Sequence, residues 1–202
     1  MMDLGQMLRR KLNPVLAAGL SILVLIGTLS TMLLGRAAIL RDGSEIILRS
    51  APVDPRDLMR GDYVQLRYES VSQVDGALFS GIWPEQDRFM PLWLTLETGE
   101  DGLATVKSIS LDKPDDGTAD TVYLKSKPVK LSGDDANRFR HMIISLTFGI
   151  ERYYVPEGEG RDIEDARNAG RTTVAVRVSA DGQPQIARLM IDGVTLYEEP
   201  LY

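Results

Sequence analysis

The chain has 202 residues, of which 44% are apolar and 26% are charged, a balance typical of globular proteins rather than disordered ones. It has no cysteine and a single histidine, His141, which excludes disulfides, thiolate metal sites and metal sites built from several histidines. With 23 basic and 29 acidic residues its net charge is −6, so it lacks the basic surface expected of a nucleic-acid-binding protein.

The N-terminal part of the sequence predicts a membrane anchor. Residues 12–35 are an uncharged run rich in leucine, isoleucine, valine and alanine, and as a helix this run covers a hydrocarbon core of about 30 Å. Three basic residues at 9–11 precede it, and the positive-inside rule places residues 1–11 in the cytoplasm. A cleavable signal peptide is the alternative, because Gly35 and Ala37 are small at suitable positions. The apolar run is longer than the roughly 7 to 15 residues of a signal peptide, which favours an uncleaved anchor.

The charge of the chain changes at the same boundary. Residues 1–35 carry three basic side chains and one acidic one, which leaves 20 basic and 28 acidic residues, a net charge of −8, in the remainder. Anionic lipid headgroups repel such a domain, so the anchor must hold it at the membrane. We expect a juxtamembrane link at 36–44 and an outer domain at 45–202.

Asp-Gly dipeptides recur along this outer part and predict hairpin turns between antiparallel strands. Both residues tolerate the positive φ angles that tight hairpins require. The dipeptides lie at 42–43, 75–76, 101–102, 116–117, 181–182 and 192–193.

A helical turn that leads into a strand is predicted at 54–68. Asp54 can cap the turn, Pro55 suits its first position, and Gly61 suits a left-handed stop. The Asp62 carboxylate is placed to accept a backbone N–H two residues on and so to define the corner before the strand.

The strand after this corner, 63–68, has two interpretations. Alternation places Leu66 and Tyr68 on one face and Tyr63 and Arg67 on the other. In the structural interpretation Leu66 and Tyr68 enter the core and Tyr63 packs over the corner. In the functional one Tyr63, Arg67 and the nearby Arg60 form an interaction surface, because tyrosine and arginine supply contact area and directional donors at interfaces.

Alternation of apolar and polar residues predicts the other strands. The segments 90–98 and 103–110 form a hairpin, 171–193 forms a second hairpin around Asp181 and Gly182, and a last strand begins at Val194. We also expect 141–155 to form one long core strand that begins at His141. Its inward residues are Ile144, Leu146, Phe148 and Ile150.

One short helix is predicted at 161–170, where Ile163, Ala166 and Ala169 have helical spacing and Gly170 suits a left-handed terminator. The predicted fold is therefore a mainly β, antiparallel, β-rich α+β domain with one short helix, preceded by a single N-terminal transmembrane helix.

The sequence GDYVQLRY at 61–68 matches the full pattern Gly-Asp-Tyr-x-x-Leu-x-Tyr, with Gly61, Asp62, Tyr63, Leu66 and Tyr68 in the defining places. By this motif the chain resembles the GDYXXLXY family of bacterial membrane-anchored proteins, and the later GIERYYVPEGEG is similar to a segment typical of that family. The resemblance implies a bacterial inner (cytoplasmic) membrane protein with a periplasmic domain and a multi-pass membrane protein as partner. It implies no catalytic residue.

The segment before the motif is also similar to the region around the nucleophile of type I signal peptidases, in which a catalytic serine precedes a Gly-Asp-x-Val strand. Here Val53 stands at the place of that serine, and Ser50 is the serine closest to it. A membrane-bound hydrolase is therefore the alternative to a non-catalytic module.

The remaining polar features indicate no cofactor. The acidic residues of 157–165 lack the register of a calcium-binding loop, and a solvated helix face explains them. Since His141 is the chain's single histidine, we expect it to be a surface or edge residue. The sequence thus favours a membrane-anchored accessory or interaction module over an enzyme.

Overall fold

The computed structural model describes residues 14–52, 63–115, 121–132, 139–156 and 159–200. The chain divides into two compact units, with the boundary between Ala37 and Ala38. The predicted helical turn at 54–61, the corner residues Gly61 and Asp62, and Arg60 lie outside the described residues.

Helix α1 (Pro14–Asp42) is long and apolar enough to cross a membrane. Three of its hydroxyl groups bond to the helix backbone: Ser21 Oγ donates to the Ala17 carbonyl at 2.9 Å, Thr28 Oγ1 to the Val24 carbonyl at 2.9 Å, and Thr31 Oγ1 to the Thr28 carbonyl at 2.8 Å. Such internal bonds let serine and threonine occur in a helix whose surroundings offer no partner. The helix continues past position 35 through most of the predicted link at 36–44.

The strands that the structure describes lie beyond α1. In chain order they are β1 (Ser44–Arg49), β2 (Tyr63–Gln65), β3 (Gln73–Asp75), β4 (Arg88–Met90), β5 (Trp93–Thr98), β6 (Ala104–Ser110), β7 (Val122–Lys125), β8 (Val129–Leu131), β9 (Ile143–Ser145), β10 (Arg152–Tyr154), β11 (Thr172–Val178), β12 (Pro184–Ile191) and β13 (Val194–Glu198).

The strands form antiparallel sheets, as predicted. The largest has the order β1-β11-β12-β13, a second has the order β6-β5-β7, and the pairs β2-β10, β3-β9 and β4-β8 are short two-stranded ribbons. The hairpins predicted around 101–102 and 181–182 are present as β5-β6 and β11-β12, with Gly102 at a φ of 77° and Gly182 at 75°. The last strand is also confirmed, as β13.

Two Asp-Gly dipeptides are not the hairpin turns that we expected. Asp42 is the last residue of α1. Gly43 follows it where the backbone is crowded, since a Cβ at this position would lie 2.5 Å from the Ile39 carbonyl oxygen. Asp75 instead begins a short 3-10 helix (Gly76–Leu78), because its carboxylate accepts the Ala77 N–H at 2.9 Å. The dipeptide at 116–117 lies outside the described residues, and the other three lie in hairpin turns.

The prediction of one long strand at 141–155 is wrong. The segment contains two short strands, β9 and β10, which belong to different ribbons, and His141 lies exposed before β9 rather than at its start. Between the strands Gly149 has a φ of 91°, and the Glu151 carboxylate accepts the N–H groups of Phe148 and Gly149. This local turn interrupts the strand, although the predicted alternation of burial persists from Leu146 to Ile150.

The short helix is confirmed as α2 (Gly160–Asn168), with Ile163 and Ala166 buried. The helix is terminated by Gly170, which lies two residues after its last residue and has a φ of 70°. The Gly170 N–H donates to the Arg167 carbonyl at 2.9 Å and the Arg171 N–H to the Ala166 carbonyl at 2.9 Å, the bond pattern of a Schellman motif.

One hydrophobic core unites the sheets, and it includes the buried face of the motif strand. Buried residues from the four-stranded sheet, the three-stranded sheet, the ribbons and α2 belong to the same cluster. Members from these elements include Leu48, Val64, Leu94, Leu124, Tyr153, Ile163, Val176 and Leu189.

Candidate interaction site on the motif strand

The motif strand β2 is held by β10, which comes from the segment 149–160. In the antiparallel register Tyr63 pairs with Tyr154, and Val64 pairs with Tyr153. The pairing extends one residue further, since the Leu66 N–H donates to the Glu151 carbonyl at 2.8 Å. The regular strand ends at Gln65 rather than at position 68, and an isolated antiparallel bridge then links Tyr68 to Ser50.

Leu66 and Tyr68 lie in the core, each with 1% of its surface exposed. The Tyr68 hydroxyl donates to the Ile150 carbonyl at 2.6 Å, and its backbone N–H donates to Ser72 Oγ at 2.8 Å. Burial raises the pKa of the Tyr68 phenol well above its ordinary value, and the negative charge of Glu151 raises it further. A neutral, fully buried and hydrogen-bonded phenol positions the backbone of the motif and is closed to any substrate.

Arg167 is the residue that sequence reasoning missed at this site. It lies on α2 and is only 1% exposed. Its Nη1 donates to the Gln65 carbonyl at 2.6 Å, and its Nη2 donates to Asn168 Oδ1 at 3.1 Å. Burial lowers the pKa of Arg167, while the nearby Glu164 carboxylate acts in the opposite direction. A signal was present in the sequence, because position 167 shares the buried helix face of Ile163 and Ala166.

Tyr63, Arg152 and Tyr154 form the exposed side of this ribbon, which we name the tyrosine–arginine patch. The rings of Tyr63 and Tyr154 lie 6.0 Å apart, and the Arg152 guanidinium carbon lies 5.3 Å from the centre of the Tyr63 ring, in the range of a cation–π contact. Tyr154 is 72% exposed and Tyr63 is half-buried. The patch therefore presents one aromatic ring, part of another and a guanidinium to solvent.

The grouping of Tyr63 with Arg67 and Arg60 stays a prediction, and the structure adds Tyr154 and Arg152 as neighbours of the Tyr63 ring. Arg67 is exposed, but its Nη2 donates to the Pro52 carbonyl at 3.1 Å, and the guanidinium over the Tyr63 ring is that of Arg152. Arg60 lies outside the described residues. The two partners of Tyr63 were hidden in the sequence because they lie in β10, far along the chain.

The structure gives no support to Ser50 as a nucleophile. The residue is 0% exposed, its Oγ donates to the Arg67 carbonyl at 3.4 Å, and its N–H donates to the Thr172 carbonyl at 3.0 Å. It thus joins β1 to the end of the motif and to β11. Within the described ranges, no three histidine, aspartate or glutamate side chains converge in a group that would hold a metal ion.

Comparison with known proteins places the chain in a family through most of its length. No curated protein and no solved structure matches it. A profile described as GDYXXLXY protein matches residues 25–189, a range that includes part of α1, the motif, β10 and α2. The chain therefore belongs to the GDYXXLXY family.

Proposed function

We propose that this chain is a membrane-anchored accessory module whose β-rich domain binds an integral membrane protein through the tyrosine–arginine patch. In this proposal residues 1–11 lie in the cytoplasm, α1 crosses the bacterial inner membrane, and the domain that begins at 45 lies in the periplasm. The basic residues 9–11 before an apolar helix support the orientation. The tether supports a membrane partner, since it confines the domain to the membrane surface.

The observation that carries the proposal is an exposed patch on a rigid support. Tyr154 is 72% exposed, whereas Val64 and Tyr153 on the reverse side of the same ribbon are 0% and 7% exposed. Arg167 and Tyr68 bond the backbone behind the patch. Because the rings are already positioned, a partner that binds them orders few side chains, and this lowers the entropic cost of association.

The side chains of the patch indicate the chemistry of the partner. Tyrosine and arginine are enriched among the residues that dominate binding energy at protein interfaces. Exposed rings take an apolar or aromatic side chain, and the Arg152 guanidinium takes a carboxylate or a backbone carbonyl. The partner surface therefore combines an apolar group with a neighbouring oxygen acceptor.

Photo-crosslinking in the native membrane tests the proposal. With benzoylphenylalanine in place of Tyr154 in the full chain, we expect a discrete crosslinked product that contains a membrane protein. Arg152→Glu in this background should reduce its yield about tenfold or more, because loss of a dominant interface residue costs roughly 2 kcal/mol or more. Arg161→Glu makes the same charge change at an exposed position of α2 and should leave the yield unchanged. The proposal fails if no discrete product forms or if both charge variants behave alike.

A further inference from the structure

A groove of about 400 Å³ lies elsewhere on the β-rich domain, between strands β8 and β9. Lys130, Leu131 and Ser132 line one side, and Ile143, Ile144 and Ser145 line the other. Trp83, Phe139 and Met142 complete it.

Among the described residues, each of the two strands that flank this groove is paired along one edge only. Within the part of the chain that the structure describes, β8 pairs with β4 alone and β9 pairs with β3 alone. The segments next to these strands meet at one end of the groove, where the Lys127 N–H donates to the Thr147 carbonyl at 2.7 Å. The groove then separates residues 130–132 from residues 143–145. A free strand edge offers backbone donors and acceptors to an added strand.

The groove has an aromatic wall and an apolar rim. The rings of Trp83 and Phe139 lie 4.4 Å apart, and Trp83 Nε1 donates to the Ser132 carbonyl at 2.8 Å, which fixes the indole. Ile143 and Met142 are 62% and 46% exposed. Next to the groove, Phe89 of β4 pairs with Lys130 of β8 and is 73% exposed. Contiguous exposed apolar residues of this kind mark binding surfaces.

The groove has a lysine in its lining and an exposed arginine beside it. Lys130 lines the groove, Arg140 is exposed next to Phe139 of the aromatic wall, and Asp87 lies 3.5 Å from the Lys130 ammonium as a partial counter-charge. The chain beyond residue 35 nevertheless has 20 basic and 28 acidic residues. A locally basic rim on an acidic domain complements a ligand that carries carboxylates.

We propose that the groove binds an extended segment of a partner protein, in which apolar side chains alternate with carboxylates, as an added strand on the free edge of β9. The apolar side chains enter the groove against Trp83 and Phe139, and the carboxylates meet Lys130 and Arg140. A bilayer surface would cover the apolar rim but leave the backbone groups of β9 without partners, so a peptide fits the site better. The inference rests on the proposed function only in that the domain is a binding module, and it does not involve the tyrosine–arginine patch.

Fluorescence of Trp83 tests this inference on the full chain in phosphatidylcholine nanodiscs. The chain has two tryptophans, so Trp93→Phe leaves Trp83 as the single reporter. The probes are three blocked heptapeptides: alternating valine and glutamate, alternating valine and lysine, and the glutamate peptide with a central proline. We expect the glutamate peptide to shift the Trp83 emission saturably and to bind about tenfold more tightly than the lysine peptide. The proline peptide should not bind, because it lacks a central N–H donor.

Variants assign this binding to the groove. Ile143→Asp should abolish it, and Lys130→Glu should reverse the preference between the glutamate and lysine peptides. Arg152→Glu should leave it unchanged, so that failure of the patch and failure of the groove are distinguishable.

Four results would overturn the inference. The first is that no peptide binds, or that the glutamate and lysine peptides bind equally. The second is unchanged binding to the Ile143→Asp variant. The third is quenching of Trp83 by brominated lipid without peptide, which would assign the groove to the bilayer. The fourth is that the glutamate peptide binds only after residues 133–138 are replaced by a glycine–serine linker, which would assign the groove to that segment of the chain.

Discussion

The Tyr68 hydroxyl donates a hydrogen bond of 2.6 Å to the Ile150 carbonyl, which joins two residues 82 positions apart. Arg167 on α2 makes a second long-range connection, because its guanidinium donates to the Gln65 carbonyl. The backbone of the motif is thus bonded from two distant segments, and the half-buried Tyr63 takes its position from them. The family motif therefore combines residues that build the core with one tyrosine that reaches the surface.

Tyr68→Phe should destabilise the domain. The substitution keeps the buried ring but removes the donor to the Ile150 carbonyl, and leaving a buried acceptor unsatisfied costs about 1–3 kcal/mol. Denaturant unfolding of the full chain in detergent measures the loss. Tyr154→Phe, at a 72% exposed position, is the matched control and should stay within about 0.5 kcal/mol of the wild type. Equal stabilities for the two variants would show that the buried hydrogen bond contributes nothing.

The same phenol predicts a fall in stability at alkaline pH. Folding raises the pKa of Tyr68 above the value of about 10 that a tyrosine has in the unfolded chain. The folded state therefore retains a proton that the unfolded state loses. The contribution of the protonated Tyr68 phenol to the free energy of unfolding is complete below about pH 10. It is lost as the pH rises from there toward the pKa of the folded state, at up to about 1.4 kcal/mol per pH unit. The difference in unfolding free energy between wild type and Tyr68→Phe should shrink above pH 10, and a difference independent of pH would contradict the assignment.

Arg167→Ala should destabilise the domain and loosen the motif strand. It removes a charged donor from the Gln65 carbonyl, and hydrogen bonds to charged groups contribute about 1.5–3 kcal/mol. Arg161→Ala on the same helix is exposed and should change stability by about 0.5 kcal/mol or less. Hydrogen exchange gives a second readout, since the Leu66 amide, next to Gln65, should exchange faster only in the Arg167 variant. Unchanged protection of that amide would separate Arg167 from the positioning of the motif.

Alanine substitutions at two hairpin glycines should differ in their cost to stability, because the space around the added Cβ differs. Gly102 and Gly182 have φ angles of 77° and 75°, so alanine is strained at both positions by about 1–2 kcal/mol. A Cβ at Gly102 meets nothing within 4 Å, whereas one at Gly182 lies 2.6 Å from the Trp93 ring and 2.8 Å from the Lys125 Cβ. Gly182→Ala should therefore cost about 1–3 kcal/mol more than Gly102→Ala in thermal or denaturant unfolding. Equal costs would mean that both the Trp93 ring and the backbone at Lys125 move away freely.

The proposed orientation in the membrane predicts where the C-terminus lies. Alkaline phosphatase, which is active in the periplasm, should be active when fused after Tyr202, and a reporter active only in the cytoplasm should be silent there. Replacing the three basic residues at 9–11 by glutamate should reduce the phosphatase activity, because these residues supply the positive-inside signal. The proposed orientation is wrong if the cytoplasmic reporter alone is active in the unmodified chain.

Local patterns in the sequence were sufficient for both helices and for the strands β5, β6, β11, β12 and β13. The apolar run of α1, the alternation in β5 and β11, and the helical spacing with Gly170 at the end of α2 depend on neighbouring residues, whose periodicity and turn chemistry act over a few positions. The same alternation correctly placed Leu66 and Tyr68 in the core. These features follow from the sequence because their causes are local.

Long-range pairing decided what those patterns left open. Alternation from His141 to Val155 is compatible with one strand, but the turn at Gly149 divides it into strands that pair with β3 and β2. Only that pairing brings Arg152 and Tyr154 to Tyr63, and only the packing of α2 brings Arg167 to Gln65. The sequence by itself thus determined the two helices, the two hairpins around 101–102 and 181–182, and the two faces of the motif. The tertiary structure decided which distant residues meet, because strand register and side-chain contacts across the chain depend on the packing of the whole domain.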